Sequence, residues 1–245
     1  MKVLAVYNLK GGVGKTSTAV NVAYLAAEGM RTLLWDLDAQ GAATYCFRVK
    51  PKVKGGARGL IDHRRRLESA IRGTDYPDLD LVPADFSNRD LDLMLGDTRK
   101  PSSRLRAMVR RLEGDYDLVI LDCPPSASLV SENVFRASDA LLLPVIPTPL
   151  SLRAYAQLLD HLARIRRQGP RLMPFFSMVD RRKKLHRETV ERWVEEHPEV
   201  LRTDIPYASV VEQMSIERRP VPSLAPGSPT TRAYRALWRE VAERL

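Results

Sequence analysis

The sequence predicts an α/β fold: a mostly parallel, twisted sheet with helices on both of its faces. Three observations predict it. Short apolar runs rich in Val, Leu and Ile recur along the chain, and longer stretches of helical pattern lie between them. The runs are continuous rather than alternating, as expected of strands buried on both faces of a parallel sheet. With 245 residues, 44% of them hydrophobic, the chain can build one α/β domain over residues 1–245.

The elements follow in order. Residues 3–7, 32–35, 79–82, 118–121, 140–145 and 173–179 are apolar runs of strand length. Residues 15–28, 102–112, 128–137, 152–167 and 188–196 carry helical periodicity between them. Residues 48–66 are basic and contain glycine, which suits a surface loop leading into a helix. Residues 220–229 are rich in proline, which lacks an amide donor, so an ordered extended segment is expected there before a last helix at 230–245.

Several function classes drop out. No apolar run approaches the roughly 20 residues that span a bilayer. Met1 and Lys2 lead directly into the first strand, with no signal-peptide core or cleavage site. Cys46 and Cys123 form no disulfide framework, and a reducing cytosol is expected. His63, His161, His186 and His197 show no metal-ligand spacing. The net charge is +9, which points either to a polyanionic partner or simply to high arginine usage.

The strongest motif is Lys10-Gly11-Gly12-Val13-Gly14-Lys15-Thr16, placed after the first strand and opening the first helix. Glycines let backbone amides turn toward one point and let a phosphate approach closely. The helix N-terminus adds unpaired amides and the positive end of its dipole. Gly11, Gly12, Val13, Gly14 and Ser17 would then cradle phosphate, Lys15 would reach the β- and γ-phosphates, and Thr16 would ligate Mg²⁺. The general pattern has a glycine where Leu9 stands; this sequence carries a second lysine, Lys10, instead.

Two segments supply carboxylates at strand ends, where ligands sit in open α/β sheets. One is Leu33-Leu34-Trp35-Asp36-Leu37-Asp38-Ala39-Gln40-Gly41; the other is Leu118-Val119-Ile120-Leu121-Asp122-Cys123-Pro124-Pro125. An apolar strand ending in Asp suits a hard cation, which prefers oxygen ligands. Cys123 follows such a strand with no histidine placed to activate it, so a small buried role is expected.

Together these motifs resemble the deviant Walker A P-loop ATPases of the ParA/MinD family, most nearly the small ParA-like partitioning or positioning members that lack an N-terminal helix-turn-helix. The resemblance covers nearly the whole chain. It implies ATP and Mg²⁺ as cofactors, with ATP hydrolysis slow unless a partner protein stimulates it. It implies Lys10, Lys15 and Asp38 as the catalytic set: Lys10 reaching the ATP of a second copy, Asp38 orienting the attacking water. Asp36 would lie near the Mg²⁺ shell beside Thr16 and Asp122. Ala39 departs from the family, which usually has proline there.

By the same resemblance Met178, Asp180 and Pro206 lie near the base, although Met178 equally suits the core and Asp180 an ion pair with a neighbouring arginine. The family forms homodimers when ATP-bound, binds nucleoid DNA without sequence preference, and meets an adaptor or cargo protein. Candidate DNA contacts here are Arg166, Arg167, Arg181, Arg182, Lys183, Lys184, Arg218 and Arg219, with the basic stretch 48–66 a competing patch. A cytoplasmic, nucleoid-associated location follows.

The alternative is a MinD-like membrane-patterning ATPase. Tyr234, Leu237, Trp238, Val241 and Leu245 form a helical stripe that suits either the core or a lipid surface, and the core is the expected place.

Overall fold

The computed structural model describes residues 1–62, 66–165 and 169–245. Its strands are β1 (Lys2–Val6), β2 (Thr32–Asp36), β3 (Arg72–Gly73), β4 (Leu79–Val82), β5 (Leu118–Asp122), β6 (Ala140–Val145) and β7 (Arg171–Phe176). Its helices are α1 (Lys15–Ala26), α2 (Ala42–Cys46), α3 (Gly56–Ile61), α4 (Leu91–Gly96), α5 (Arg104–Val109), α6 (Leu129–Ala137), α7 (Pro149–Ile165), α8 (Lys184–Glu196), α9 (Ser209–Glu217), α10 (Val221–Leu224) and α11 (Pro229–Arg244).

The seven strands run in the order β3-β4-β2-β5-β1-β6-β7. All neighbours are parallel except β3, which lies antiparallel on β4 at the edge. Side chains alternate across the sheet, so each strand feeds two apolar layers. Val3, Ala5 and Tyr7 join Trp35, Leu121 and Phe135 on one face, while Leu4 and Val6 join Leu34, Ile120 and Leu142 on the other. That double burial is why the strands read as unbroken apolar runs.

The register positions the site. Val6 pairs with Asp122 and Asp36 pairs with Asp122, so three strands end level at one edge of the sheet. The glycine loop rises from β1, next to β5, whose acidic end lies between β1 and the acidic end of β2.

Where the elements differ from expectation, proline and chain reversal explain most of it. Residues 220–229 are not wholly extended: α10 makes one turn with Pro220 as its N-cap and Pro222 in its first turn. First-turn amides have no intrahelical acceptor, so proline loses nothing there. For the same reason α7 starts at Pro149, earlier than its periodicity suggests. The strand expected over 173–179 stops at Phe176, and Met178 turns the chain away with φ of 56°. The helix expected over 102–112 is α5 with a tight turn at each end, Pro101–Ser103 and Arg110–Leu112.

Tyr234, Leu237 and Val241 are buried and Trp238 and Leu245 partly so, all within the layer that also packs α1. The α11 stripe is therefore core. Among the described residues no helix is long and apolar enough to cross a membrane.

Candidate nucleotide site

The loop between β1 and α1 is anchored from both ends. Asn8 donates through Nδ2 to the Pro144 carbonyl on β6 at 2.8 Å and accepts the Lys10 amide on Oδ1 at 2.9 Å. Val13 is fully buried, whereas Gly11 and Gly12 are exposed with open space where a side chain would stand. Gly14 has φ of 90°, and a Cβ there would meet Ser177 Oγ at 3.0 Å. Both the left-handed backbone and this close approach require glycine. No side chain caps α1, whose first-turn amides are left facing the loop.

Two lysines flank this cradle. Lys15 is buried, and its Nζ donates to the Lys10 carbonyl at 3.0 Å. Burial lowers its pKa, and the neighbouring Asp122 opposes that shift. Lys10 Nζ reaches Ser151 Oγ at 3.4 Å, and Ser151 in turn bonds Thr148 Oγ1 at 3.1 Å.

Asp36 and Asp122 are both wholly buried on adjacent strand ends. Asp36 Oδ2 accepts the Thr44 amide at 2.8 Å and the Thr44 hydroxyl at 2.7 Å, while its Oδ1 has no hydrogen-bond partner. Neither oxygen of Asp122 has one. The Thr16 hydroxyl is near enough to ease its charge without reaching hydrogen-bond geometry. Burial pushes the Asp36 carboxyl up to about 6 against the pull of the Thr44 bonds. Burial, then the charge of Asp36, pushes Asp122 well above the usual carboxylate range.

Two buried carboxylates with three idle oxygens are costly unless a cation meets them. Among the described residues no three His, Cys, Asp or Glu side chains converge as a metal cage. The donor set therefore suits a hard divalent ion that keeps water and phosphate oxygens in its shell. Asp38 is half-exposed on the loop after β2, where its Oδ1 accepts the Gln40 amide at 3.0 Å. Cys123 is buried and its thiol is pushed well up by that burial, in keeping with a small apolar role.

Beyond Gly14 and Ser17 a pocket continues, walled by Met178, Pro206, Tyr207 and Glu212 and floored by Tyr234. Met178 and Pro206 thus both line a pocket beside the loop. Asp180 does not line this pocket; Arg182 grips it with Nε at 2.9 Å and Nη2 at 3.0 Å, holding its carboxyl down at about 2. The ion-pair alternative is the one realised.

The expected DNA contacts are mostly engaged elsewhere. Arg181 pairs with Asp204, Arg182 with Asp180, and Lys184 with Glu188 at 3.5 Å. Arg218 donates to the Tyr45 carbonyl at 2.9 Å with its guanidinium 4.4 Å above the Tyr45 ring, and Arg219 donates to Ser223. Lys183 has no side-chain partner among the described residues. Arg166 and Arg167 lie outside the described residues.

Sequence reasoning missed Asn8, Thr44, Ser177 and Glu212, and read Tyr234 only as part of the α11 stripe. Asn8 lies in the loop itself, whereas Thr44, Ser177 and Glu212 sit at no motif spacing and reach the site only in the folded chain.

Sheet order, glycine loop, lysines and paired strand-end carboxylates define a P-loop nucleotide hydrolase scaffold. Residues 1–173 match the family model described as an AAA domain. The chain is 34% identical over 208 residues to the chromosome partitioning protein ParA of Caulobacter vibrioides, an alignment spanning 78% of this chain and 74% of that one. It is 31% identical over 249 residues to the sporulation initiation inhibitor protein Soj of Bacillus subtilis, spanning 98% of each. The Mycobacterium smegmatis structure described as cobyrinic acid a,c-diamide synthase with bound ADP and magnesium superposes with a TM-score of 0.82 at 26% identity, over 99% of this chain and 94% of that chain. The chain belongs to the ParA-like family of P-loop ATPases.

Proposed function

We propose that this chain is an ATP-driven switch that partitions or positions a cargo on DNA, acting as one ParA-like domain over residues 1–245. The observation that carries the reading is the pair of buried carboxylates with unpartnered oxygens at the foot of a two-lysine glycine loop.

Gly11, Gly12, Val13 and Gly14 present backbone amides to the ATP phosphates, and Lys15 exchanges the Lys10 carbonyl for phosphate oxygens. Met178 and Pro206 wall the base, and Ser17 lies at the loop end of the same pocket. Thr16, Asp36 and Asp122 have the oxygens to hold Mg²⁺, which when bound neutralises charge on the β- and γ-phosphates. Asp38, half-exposed beside them, orients the attacking water. Lys10 leaves Ser151 and reaches the phosphates of a second copy, supplying cationic charge in trans. The ATP-bound homodimer binds nucleoid DNA through phosphate contacts, and an adaptor or cargo protein stimulates its otherwise slow hydrolysis. The protein works in the cytoplasm, associated with the nucleoid. The name of the ParA relative, a chromosome partitioning protein, supports the partitioning sense of this cycle. The α11 stripe is buried, so it offers no free apolar face to lipid.

Equilibrium dialysis against ATP and Mg²⁺ tests the loop. Lys15→Ala should weaken binding about 10- to 100-fold, from the loss of charged hydrogen bonds of ~1.5–3 kcal/mol. Unchanged affinity would mean that the loop does not hold phosphate. Asp38→Ala should bind normally and lower turnover by roughly 10²–10⁴; undiminished hydrolysis would remove Asp38 from its role.

A further inference from the structure

The charge of Arg181, Arg182 and Lys184 in the C-terminal half is offset by Asp204, Asp180 and Glu188. A different surface is not. At the β3 edge of the sheet a cleft of about 710 Å³ is lined by Arg48, Lys50, Lys52, Lys54 and Arg72, with Asp75 its one acidic side chain among the described residues. Lys50, Lys52 and Lys54 are exposed, and none of their ammonium groups is hydrogen-bonded or ion-paired among the described residues. Lys52 lies near enough to Asp85 to help keep that carboxyl charged. Arg48 meets Asp75 at 3.8 Å and the Glu217 carbonyl at 3.0 Å.

We propose that this cleft, with Lys50, Lys52 and Lys54 at its centre, is the surface that holds the phosphate backbone of double-stranded DNA. The proposal rests on the DNA-binding reading above and assigns its residues. Three features fit such a ligand. The three lysines alternate with Pro51 and the buried Val53 in a tightly turned segment, where the Lys52 amide donates to the Lys50 carbonyl at 2.8 Å and the Gly56 amide to the Val53 carbonyl at 2.9 Å, so three ammonium groups gather at one cleft. A duplex carries one charge per ~1.7 Å of its axis, so three ammonium groups gathered at one cleft can meet several of its phosphates. The apolar residues of the cleft are not free to insert: Phe47 is 2% and Val53 5% exposed. That suits sequence-blind phosphate contacts and lacks the apolar wedge of a lipid-binding surface.

The same segment is tied to the candidate cation site. Thr44, which holds Asp36 by two hydrogen bonds, accepts the Val49 amide on its carbonyl at 3.2 Å and bonds the Ala84 amide through its hydroxyl at 2.8 Å. Farther along, Val53 donates its amide to Asp85 Oδ2 at 3.0 Å. The lysine segment is therefore strung between Thr44, which holds the buried Asp36, and Asp85, whose chain neighbour Ala84 bonds the same Thr44 hydroxyl. A ligand that draws on Asp36 shifts the anchor of the array, which would make DNA affinity depend on nucleotide.

The test is retention of the full chain on random-sequence duplex DNA with ATP, over a salt series. Wild type is compared with Lys50→Glu/Lys52→Glu/Lys54→Glu and with Arg181→Glu/Arg182→Glu/Lys183→Glu. ATP binding and thermal unfolding serve as controls of fold, and a Lys→Gln triple variant serves where charge reversal perturbs either. Wild type should bind. The cleft variant should lose at least tenfold in affinity, and its slope of log affinity against log salt should fall by about 2.7, from ~0.9 per phosphate contact. The second variant should keep most of its binding. Cleft variants that bind like wild type, or loss confined to the Arg181 variant, would overturn the assignment while leaving DNA binding intact. Wild type that fails to bind DNA in any nucleotide state would remove the DNA-binding reading itself and this surface with it. Loss of binding to anionic vesicles with DNA binding unaffected would reassign the cleft to lipid and overturn the proposal.

Discussion

Thr44 sets the state of Asp36. Its amide and hydroxyl hold one carboxylate oxygen, and the same hydroxyl accepts the Ala84 amide. The other oxygen of Asp36 is left bare in a fully buried place. Thr44→Val keeps the shape and removes one donor to a buried carboxylate and one acceptor for a buried amide. The expected cost is about 1–3 kcal/mol, read as a lower urea midpoint, and Thr44→Ser should restore most of it. A Thr44→Val midpoint equal to wild type would mean that the hydroxyl does not support Asp36. No sequence pattern announces Thr44, because it lies a loop away from Asp36 and its role depends on how α2 folds back. Asp36 and Asp122 were legible for the opposite reason: each closes an apolar run, and a carboxylate at the end of a buried strand needs an explanation from its own surroundings. Asp180 was legible only as one of two alternatives, since Arg182 competes with any base for it.

At the scale of elements, the parallel strands were legible because double burial leaves an unbroken apolar run, while the one-turn elements were not. Helices α2, α3, α4 and α10 are four to six residues long, shorter than two helical turns, so no periodicity can mark them. Two of the connections are closed by arginines in the left-handed conformation, Arg48 with φ of 58° and Arg218 with φ of 54°. Arg218 donates to the Tyr45 carbonyl of α2 and Arg48 to the Glu217 carbonyl of α9, so each helix end is capped from the other. A positive count of arginines in the sequence cannot tell such caps from DNA contacts.

The starts of β2 and β5 are joined in a similar way. The Arg31 guanidinium beside Asp117 holds that carboxyl down at about 2. Asp117 is thus charged in the folded protein at a pH where the unfolded chain, near 3.8, binds its proton. Its contribution to stability is complete above pH ~4 and is lost as pH falls through about 2. The gap in urea midpoint between wild type and Asp117→Asn should therefore narrow steadily from pH 5 to pH 2. A gap that is constant across that range would mean the ion pair does not contribute. Both groups are well exposed, so the gap should also shrink in high salt.

Over the whole molecule, the β1–β5–β2 register brings the glycine loop, Asp36 and Asp122 to one end of the sheet, and the P-loop context was readable from the strand–loop–helix order alone. The strand order was not: neighbours such as β1 and β5 are separated by most of the first half of the chain, and only the crossovers decide them. The base pocket has the same character, since α9 and α11 reach it from the far end of the sequence. Lys15 is directed into its own loop by the Lys10 carbonyl, whereas Lys10 is drawn aside to Ser151 on α7. A lysine placed at the side of its own site is available to a second copy.

Sedimentation velocity of Asp38→Ala with Mg²⁺ and either ATP or ADP tests that claim most directly, because slow turnover preserves the ATP state. The mass should double with ATP and stay monomeric with ADP, and adding Lys10→Ala should weaken the ATP dimer at least about tenfold, the cost of one charged contact. Tight ATP binding with no change in mass, or a dimer indifferent to Lys10, would contradict an ATP-closed pair that shares its lysines.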